Sequence, residues 1–361
     1  MSHISTDGDV RHVASRIEDG VHRWRARRAL ASGHETVILP YVGYGSTGPN
    51  DSWIRVLARV VLARPGAFEA GQHQAQVIAD GIRGFRNFIS PILPGGKVRI
   101  DVGNQHFEVE ADRGGVIDVK LMVDLPAGWN EIRLQAHDGD DAQAKILVID
   151  QAQKFGVISD VDDTVVVTAL PRPLLAAWNS FVLSEHARVA TPGMAVMLQK
   201  VLLEHPGSPT IYLSTGAWNV AQTLQRFISR NLFPRGPLLL TDWGPTDRSW
   251  FRSGMQHKVD QLRRLAEEFP DMSWVLIGDD GQHDPAIYAE FARRYPELVR
   301  AIVIRQLTPS EAVLAGGRSH ELRRTTPGVP WVYEPDGARI LKQLAKLGIV
   351  STESVNLLKE D

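Results

Sequence analysis

From residue 154 onward, short apolar runs alternate with stretches of helical period, and this alternation restricts the fold more than any other feature of the chain. The runs fall at 154–159, 209–214, 238–241, 273–278 and 301–305, and helical segments at 220–230, 258–269 and 285–295 follow most of them. Continuous apolar runs that alternate with helices predict an α/β domain, a doubly wound and mostly parallel sheet covered by helices on both faces. A last helix over 338–347 is expected to dock on the same domain. The pattern places this α/β domain at 151–361.

Before it, 36–150 reads differently. Seven short β-rich segments, at 36–42, 53–62, 97–102, 106–111, 116–123, 131–137 and 145–149, are separated by turn clusters such as Ala111-Asp112-Arg113-Gly114-Gly115. Several alternate, as in Phe107-Glu108-Val109-Glu110, which predicts a β-sandwich-like domain with a helix or long loop inserted near 76–89. Residues 1–35 hold an amphipathic helix: Val10, Val13, Ile17, Val21, Trp24 and Leu30 recur at nearly helical spacing among six arginines. Packing on its own domain is the ordinary role of such a helix. Peripheral contact with an anionic membrane surface is the sharper alternative.

Gly43-Tyr44-Gly45-Ser46-Thr47-Gly48 matches the glycine pattern of dinucleotide-binding turns. No helix follows to receive a pyrophosphate, so the stretch reads as a loop between sandwich strands.

Chemistry concentrates at the ends of the later strands. Asp160-Val161-Asp162-Asp163-Thr164 follows the first apolar run, Ser214-Thr215-Gly216 the second, and Gly278-Asp279-Asp280 with Asp284 the fourth, while Lys258 opens the helix after the third. In an open parallel sheet, residues beyond the carboxyl ends of separate strands converge on one crevice. Crowded carboxylates there require a cation, a proton or hydrogen bonds to offset lost solvation. An isolated Asp-rich turn is as readily a solvated turn. The ordered set instead fits phosphoryl transfer. One carboxylate can attack phosphorus, a second can protonate the leaving oxygen and later activate water, and Mg²⁺ can neutralise their mutual repulsion. A lysine and a serine hydroxyl, with backbone N–H groups at Thr215 and Gly216, can hold phosphate oxygens.

Composition agrees with a globular protein and excludes some chemistries. Forty basic against 42 acidic residues give a formal charge of −2, so no chain-wide field favours nucleic acid. With no cysteine there is no disulfide, thiolate metal site or cysteine nucleophile. The N-terminal MSHISTDGDVRH lacks a basic-then-apolar signal, and no apolar run approaches the ~18 residues that cross a bilayer, so a cytoplasmic location is expected, peripheral at membranes if the first helix binds them.

The same residues resemble the haloacid dehalogenase superfamily of aspartate-nucleophile phosphatases, through Asp160-Val161-Asp162-Asp163-Thr164, Ile211-Tyr212-Leu213-Ser214, Lys258 and Gly278-Asp279-Asp280 with Asp284. Within it, Leu213-Ser214-Thr215-Gly216-Ala217-Trp218-Asn219, Gln256-His257-Lys258 and Gly278-Asp279-Asp280-Gly281-Gln282-His283-Asp284-Pro285 are similar to the catalytic domain of the actin-patch phosphatidate phosphatase family. The resemblance covers about 154–310 and extends weakly to Pro40-Tyr41-Val42-Gly43-Tyr44-Gly45. It implies a Mg²⁺-dependent phosphatase acting through an aspartyl phosphate on phosphatidate or a related lipid phosphomonoester. Asp160 would be nucleophile and metal ligand. Asp162 would be the acid/base, with its backbone carbonyl on the metal, and Asp279 the third protein ligand. Ser214 and Lys258 would bind the phosphoryl group and Thr164 would steady the turn. Either Asp284 or Asp280 would supply an outer-shell carboxylate. If the turn stays extended, Asp163 should point away from Asp160 and Asp162 and take no part in catalysis. A soluble phosphomonoester or a phosphoprotein is the alternative substrate, and a non-catalytic lipid- or protein-binding module the alternative class. The 25 or so residues after the first motif allow a flap or small helical cap.

Overall fold

The structure, a computed structural model, describes residues 20, 22, 24–49, 51–65, 90–139, 141–167, 189–241, 250–281, 283–314 and 325–356. The chain divides into two compact units. One comprises Met1–Tyr44, Trp53–Asp124 and Trp129–Ile146, and the other Gly45–Ser52, Leu125–Gly128 and Leu147–Asp361.

The first sheet is built on β1 (Glu35–Pro40), β2 (Gly43–Thr47), β3 (Trp53–Ala63), β4 (Lys97–Val102), β5 (Gln105–Glu110), β6 (Val116–Leu121), β7 (Gly128–Ala136) and β8 (Asp141–Asp150). All eight join one hydrogen-bonded sheet in the order β1-β3-β2-β8-β7-β4-β5, with β6 on β3. The sequence suggested a sandwich of two sheets, whereas the strands form one bonded network. The long β3 makes this possible. Its C-terminal half pairs with β1 and its N-terminal half with β6, so one strand links segments that would otherwise belong to separate sheets. Val56, Leu57, Val60, Val61 and Leu62 on β3 are fully buried. The edge strand β5 carries Glu108 and Glu110 outward, charges that discourage pairing with another chain.

Two further expectations change here. Gly43–Thr47 is strand β2 and not a loop. A Cβ at Gly43 would lie 2.3 Å from the Arg55 carbonyl oxygen, so this glycine serves close strand approach. The helix ending the N-terminal segment buries Ala26 and Ala29 against Leu62 and Leu93, while Trp24 is 58% and Leu30 47% exposed. Small residues let the helix lie close to the sheet, which turns the face expected to be core outward. Residues 1–19 of the expected helix and the insertion at 76–89 lie outside the described residues.

The second unit has a six-stranded sheet ordered β13-β12-β9-β14-β15-β16, made of β9 (Phe155–Asp160), β12 (Thr210–Ala217), β13 (Leu238–Thr241), β14 (Ser273–Asp279), β15 (Val299–Arg305) and β16 (Trp331–Glu334). Every neighbouring pair is parallel. Val157, Ile158, Ile211, Leu213, Val275, Leu276, Ile302, Val303 and Ile304 are wholly or almost wholly buried, and their continuous runs suit strands covered on both faces. The helices are α1 (Met194–Glu204), α2 (Ala221–Arg230), α3 (Trp250–Glu268), α4 (Asp284–Arg294), α5 (Pro309–Leu314), α6 (Gly337–Lys346) and α7 (Thr352–Asn356). Helix α1 packs on α6, and α3 packs on α4. The short antiparallel pair β10 (Val166–Val167) and β11 (Val189–Ala190) closes the base of the segment where a flap was expected; residues 168–188 themselves lie outside the described set.

The chain runs from β9 outward to β12 and β13, then returns to β14 on the other side of β9. The reversal places the carboxyl ends of β9 and β14 side by side, the position where open parallel sheets form their crevice. Central packing holds this pair in register. Trp274 on β14 is fully buried, edge-to-face with Phe269 at 6.0 Å, and lies over Gly156 of β9, where a Cβ would come within 2.4 Å of its ring. Gly156→Ala should therefore overpack the centre of the sheet and destabilise the protein by about 1–3 kcal/mol. Urea denaturation checks this, and unchanged stability would contradict the packing argument.

Candidate active site

Asp160, the last residue of β9, is 2% exposed, Asp279, the last of β14, is 1% exposed, and Asp284, at the start of α4, is also 1% exposed. One carboxylate oxygen from each lies within 4.8 Å of the others. Lys258 spans two of them, donating from Nζ to Asp160 Oδ1 and to Asp284 Oδ1, each at 2.6 Å. The expectation that Lys258 opens its helix is corrected: α3 begins at Trp250 and carries Lys258 within its body. Helix α3 approaches the strand end closely at Gly254, where a Cβ would lie 3.1 Å from the Thr215 side chain. That glycine also weakens the apparent helical period before Lys258.

The acidic strand end is shaped by its neighbours. A Cβ at Gly278 would meet Asp284 Oδ2 at 2.5 Å, so only glycine lets that carboxylate fold back against β14. Asp279 Oδ1 accepts from the Gly281 N–H at 2.7 Å. The Asp280 side chain binds backbone elsewhere, since its Oδ1 accepts from the Leu307 N–H at 2.8 Å and ties this loop to the end of β15. Of the two candidates for an outer carboxylate, Asp284 is the one clustered with Asp160 and Asp279.

On the other side of β9, Asp162 is less buried than Asp160, and its Oδ2 accepts from the Ser214 hydroxyl at 3.0 Å. Ser214 Oγ in turn accepts from the Gly216 N–H at 2.9 Å. Ser214, Thr215 and Gly216 therefore lie within the irregular end of β12 and not at a free helix start, since β12 continues to Ala217 through a register shift. The shift removes Thr215 and Gly216 from the regular ladder and lets Gly216 double back on Ser214. Thr164 Oγ1, expected to steady the turn, is buried with no partner among the described residues. Asp163 differs as well. Its φ is 58°, so the turn is left-handed at this residue and not extended, and Asp163 is 4% exposed. Among residues outside the expected set, His283 is exposed, while burial holds His257 down to about 4, with a bond to the Leu239 backbone opposing the shift. Trp218 is buried.

Three carboxylates facing one ammonium leave uncompensated charge. Burial raises the Asp160 carboxyl well above the ordinary range, with Lys258 opposing and Asp284 and Asp162 adding to the shift. Asp279 is raised by burial and by Asp284 and Asp160. Burial disfavours the Lys258 ammonium, but Asp160 and Asp284 outweigh it and hold the lysine charged beyond its usual range. A donor set made only of carboxylate oxygens, buried and short of positive charge, fits a hard divalent cation.

The geometry carries a stability prediction. A carboxyl raised in the fold contributes stability that is present below its unfolded value and is lost as pH rises through its folded value. Without divalent cations, the melting temperature should fall as pH climbs above the ordinary carboxylate range, and Mg²⁺ should suppress the fall. Asp279→Asn should raise the metal-free melting temperature by a few degrees, about 2–4 °C per kcal/mol in a domain of this size, and blunt the response to Mg²⁺. Thermal shift across pH tests this; a wild-type protein insensitive to Mg²⁺ would contradict it.

Residue 305 escaped sequence reasoning. Arg305 ends β15 and is 3% exposed, a buried arginine with no motif to announce it. A charge closing the apolar run 301–304 was its only signal.

The family described as phosphatidate phosphatase APP1, catalytic domain, matches residues 155–306. The phosphatidate phosphatase APP1 of Saccharomyces cerevisiae is 23% identical over 282 residues, 74% of this chain and 47% of that protein. An uncharacterized protein of Schizosaccharomyces pombe is 24% identical over 154 residues, covering 42% of this chain and 25% of its own length. The chain thus spans less than half the length of either relative. Among solved structures, an uncharacterized protein from Listeria monocytogenes serotype 4b aligns with 55% of this chain and 99% of its own at 12% identity, with a TM-score of 0.30 that carries no fold argument. Residues 155–306 carry the catalytic-domain pattern of the phosphatidate phosphatase APP1 family.

Proposed function

We propose that the second unit is a divalent-cation-dependent phosphatase of the haloacid dehalogenase type, acting on phosphatidate or a related lipid phosphomonoester. The observation that carries this reading is the buried Asp160–Lys258–Asp284 bridge beside Asp279 at the carboxyl edge of a parallel sheet. Crossovers between parallel strands are right-handed, so reversal of direction after β13 puts the following helices on the opposite face. Packing of α1 on α6 and of α3 on α4 supports that doubly wound arrangement. The family match and the yeast relative support the substrate class.

In the proposed reaction, Asp160 attacks phosphorus. A bond forms between its carboxylate oxygen and phosphorus as the bond to the leaving oxygen breaks, and Asp162 gives that oxygen a proton. Asp162, now ionised, takes a proton from water as the water attacks phosphorus, releasing inorganic phosphate and restoring Asp160. Lys258 supports the ionised nucleophile. Ser214 orients Asp162 through its hydroxyl and would share that donor with a phosphate oxygen. Asp160, the Asp162 carbonyl and Asp279 would hold Mg²⁺, with Asp284 behind them. The ion supplies the positive charge that lets a carboxylate meet a phosphate dianion.

Membrane contact forms part of the same proposal. The exposed Trp24 ring lies 5.5 Å from the Arg28 guanidinium carbon on a helix that also exposes Arg25 and Arg27, a combination suited to an anionic lipid surface. Among the described residues no helix is long and apolar enough to cross a membrane.

Asp160→Asn should abolish Mg²⁺-dependent phosphate release from phosphatidate vesicles with circular dichroism unchanged. Asp162→Asn should cost about 10²–10⁴-fold in kcat, and less for a substrate whose leaving group needs no proton. Phosphate release from vesicles and from a water-soluble phosphomonoester measures both. An active Asp160→Asn protein would sink the mechanism, and equal rates on the two substrates without vesicle binding would favour the soluble-substrate reading.

A further inference from the structure

The left-handed turn at Asp163 lies between the two aspartates assigned to chemistry and the strand β10, and a buried arginine holds it. Arg305 Nη1 donates to the Asp163 carbonyl oxygen at 2.7 Å. Nη2 bonds Glu311 Oε1 at 2.7 Å, and Nε donates to the Pro335 carbonyl at 3.4 Å. The Arg305 backbone reaches the acidic loop: its carbonyl accepts from the Asp280 N–H at 3.0 Å, and Asp280 Oδ1 accepts from Leu307 two residues on. Arg305 is the register partner of Asp279 across β14 and β15. One residue thus touches the turn after Asp160 and Asp162 through its side chain and the loop after Asp279 through its backbone.

Burying a guanidinium is costly unless each side is partnered, so its position needs a reason. Asp163 supplies one. A non-glycine residue at φ 58° is disfavoured by contact between its Cβ and the backbone, and the turn persists only where other bonds select it. The Asp163 N–H donates to the Val166 carbonyl at 2.8 Å, and the Arg305 guanidinium takes the Asp163 carbonyl. Glu311 fixes the guanidinium from behind: its other oxygen accepts from the Thr308 N–H at 2.8 Å, which anchors α5 to the end of β15. Burial pushes the Glu311 carboxyl up, but Arg305 and the Thr308 N–H more than offset this, so the pair is held as an ion pair.

We propose that Arg305 is a positioning residue for the phosphatase reaction, clamping the Asp163 carbonyl so that the left-handed turn presents Asp160 and Asp162 in fixed register with the Asp279 loop. The role rests on the proposed phosphatase reading only for its catalytic consequence; the clamp itself is a statement about the turn. Lysine can keep the charge but cannot bond Asp163, Glu311 and Pro335 together.

The test has two readouts on the full chain. In Arg305→Lys, hydrogen exchange of the peptide spanning Asp160 to Val167 should quicken by about 10–100-fold, the loss expected for one charge-assisted hydrogen bond, while β12 and β3 keep their protection. On phosphatidate vesicles kcat should fall by a similar factor with KM changed less than about threefold, because Arg305 does not touch substrate. Glu311→Gln, which leaves the arginine in place but loosens it, should shift both readouts in the same direction by less, and serves if the lysine variant folds poorly. Unchanged exchange at the turn would overturn the clamp whether or not the protein is active, as would a loss expressed in KM alone. A wild-type protein with no phosphate release would instead refute the phosphatase reading and leave the exchange result to judge the clamp.

Discussion

The second unit depends on one bridge, the buried Lys258 ammonium held between the buried carboxylates of Asp160 and Asp284. Removing one partner from such a group leaves an uncompensated buried charge, which costs far more than the bridge contributes by comparison with an apolar replacement. The bridge is therefore poor evidence for selection on stability and good evidence for selection on chemistry. Its cost is also incomplete compensation: Asp279 adds a third carboxylate with no second lysine among the bonds described. The surrounding packing tolerates this because the sheet beneath it is continuous and apolar.

The sheet explains why the carboxylates meet. Parallel pairing of β9 with β14 aligns two strand ends, and the glycine at 278 lets Asp284 return toward them. The left-handed Asp163 turns the chain immediately after Asp162, so the two aspartates nearest the strand face different neighbours: Asp160 faces Lys258, and Asp162 faces Ser214. A carboxylate beside a buried ammonium is suited to attack. One that is less buried and bonded to a hydroxyl is suited to exchange protons.

Much of this arrangement was legible in the chain. The runs at 238–241 and 273–278 matched strands within a residue because strands buried on both faces leave uninterrupted apolar stretches. Asp160 and Asp284 were legible from their places after successive strands, whereas Lys258 was legible only as part of the ordered set, since it lies within the body of α3 and not at a helix start. Other features were not. The start of α3 was hidden by Gly254, whose reason is contact with Thr215 and not helix termination. The face of the first helix was misread because Ala26 and Ala29, not Trp24 and Leu30, meet the sheet, and alanine carries little periodic signal. The separate pairings of the two halves of β3 decide between one network and a sandwich, and alternation within a strand does not encode them. Arg305 acts through a carbonyl, and main-chain contacts leave no residue pattern to read.

The account turns on Asp160 becoming covalently phosphorylated during turnover. Acid quenching of the protein with phosphate-labelled phosphatidate and Mg²⁺, followed by peptide mapping, tests this most directly. The account predicts a base-labile label on the peptide containing Asp160, formed and lost at rates compatible with turnover. A label on another residue, or none in a protein that is releasing phosphate, would contradict it.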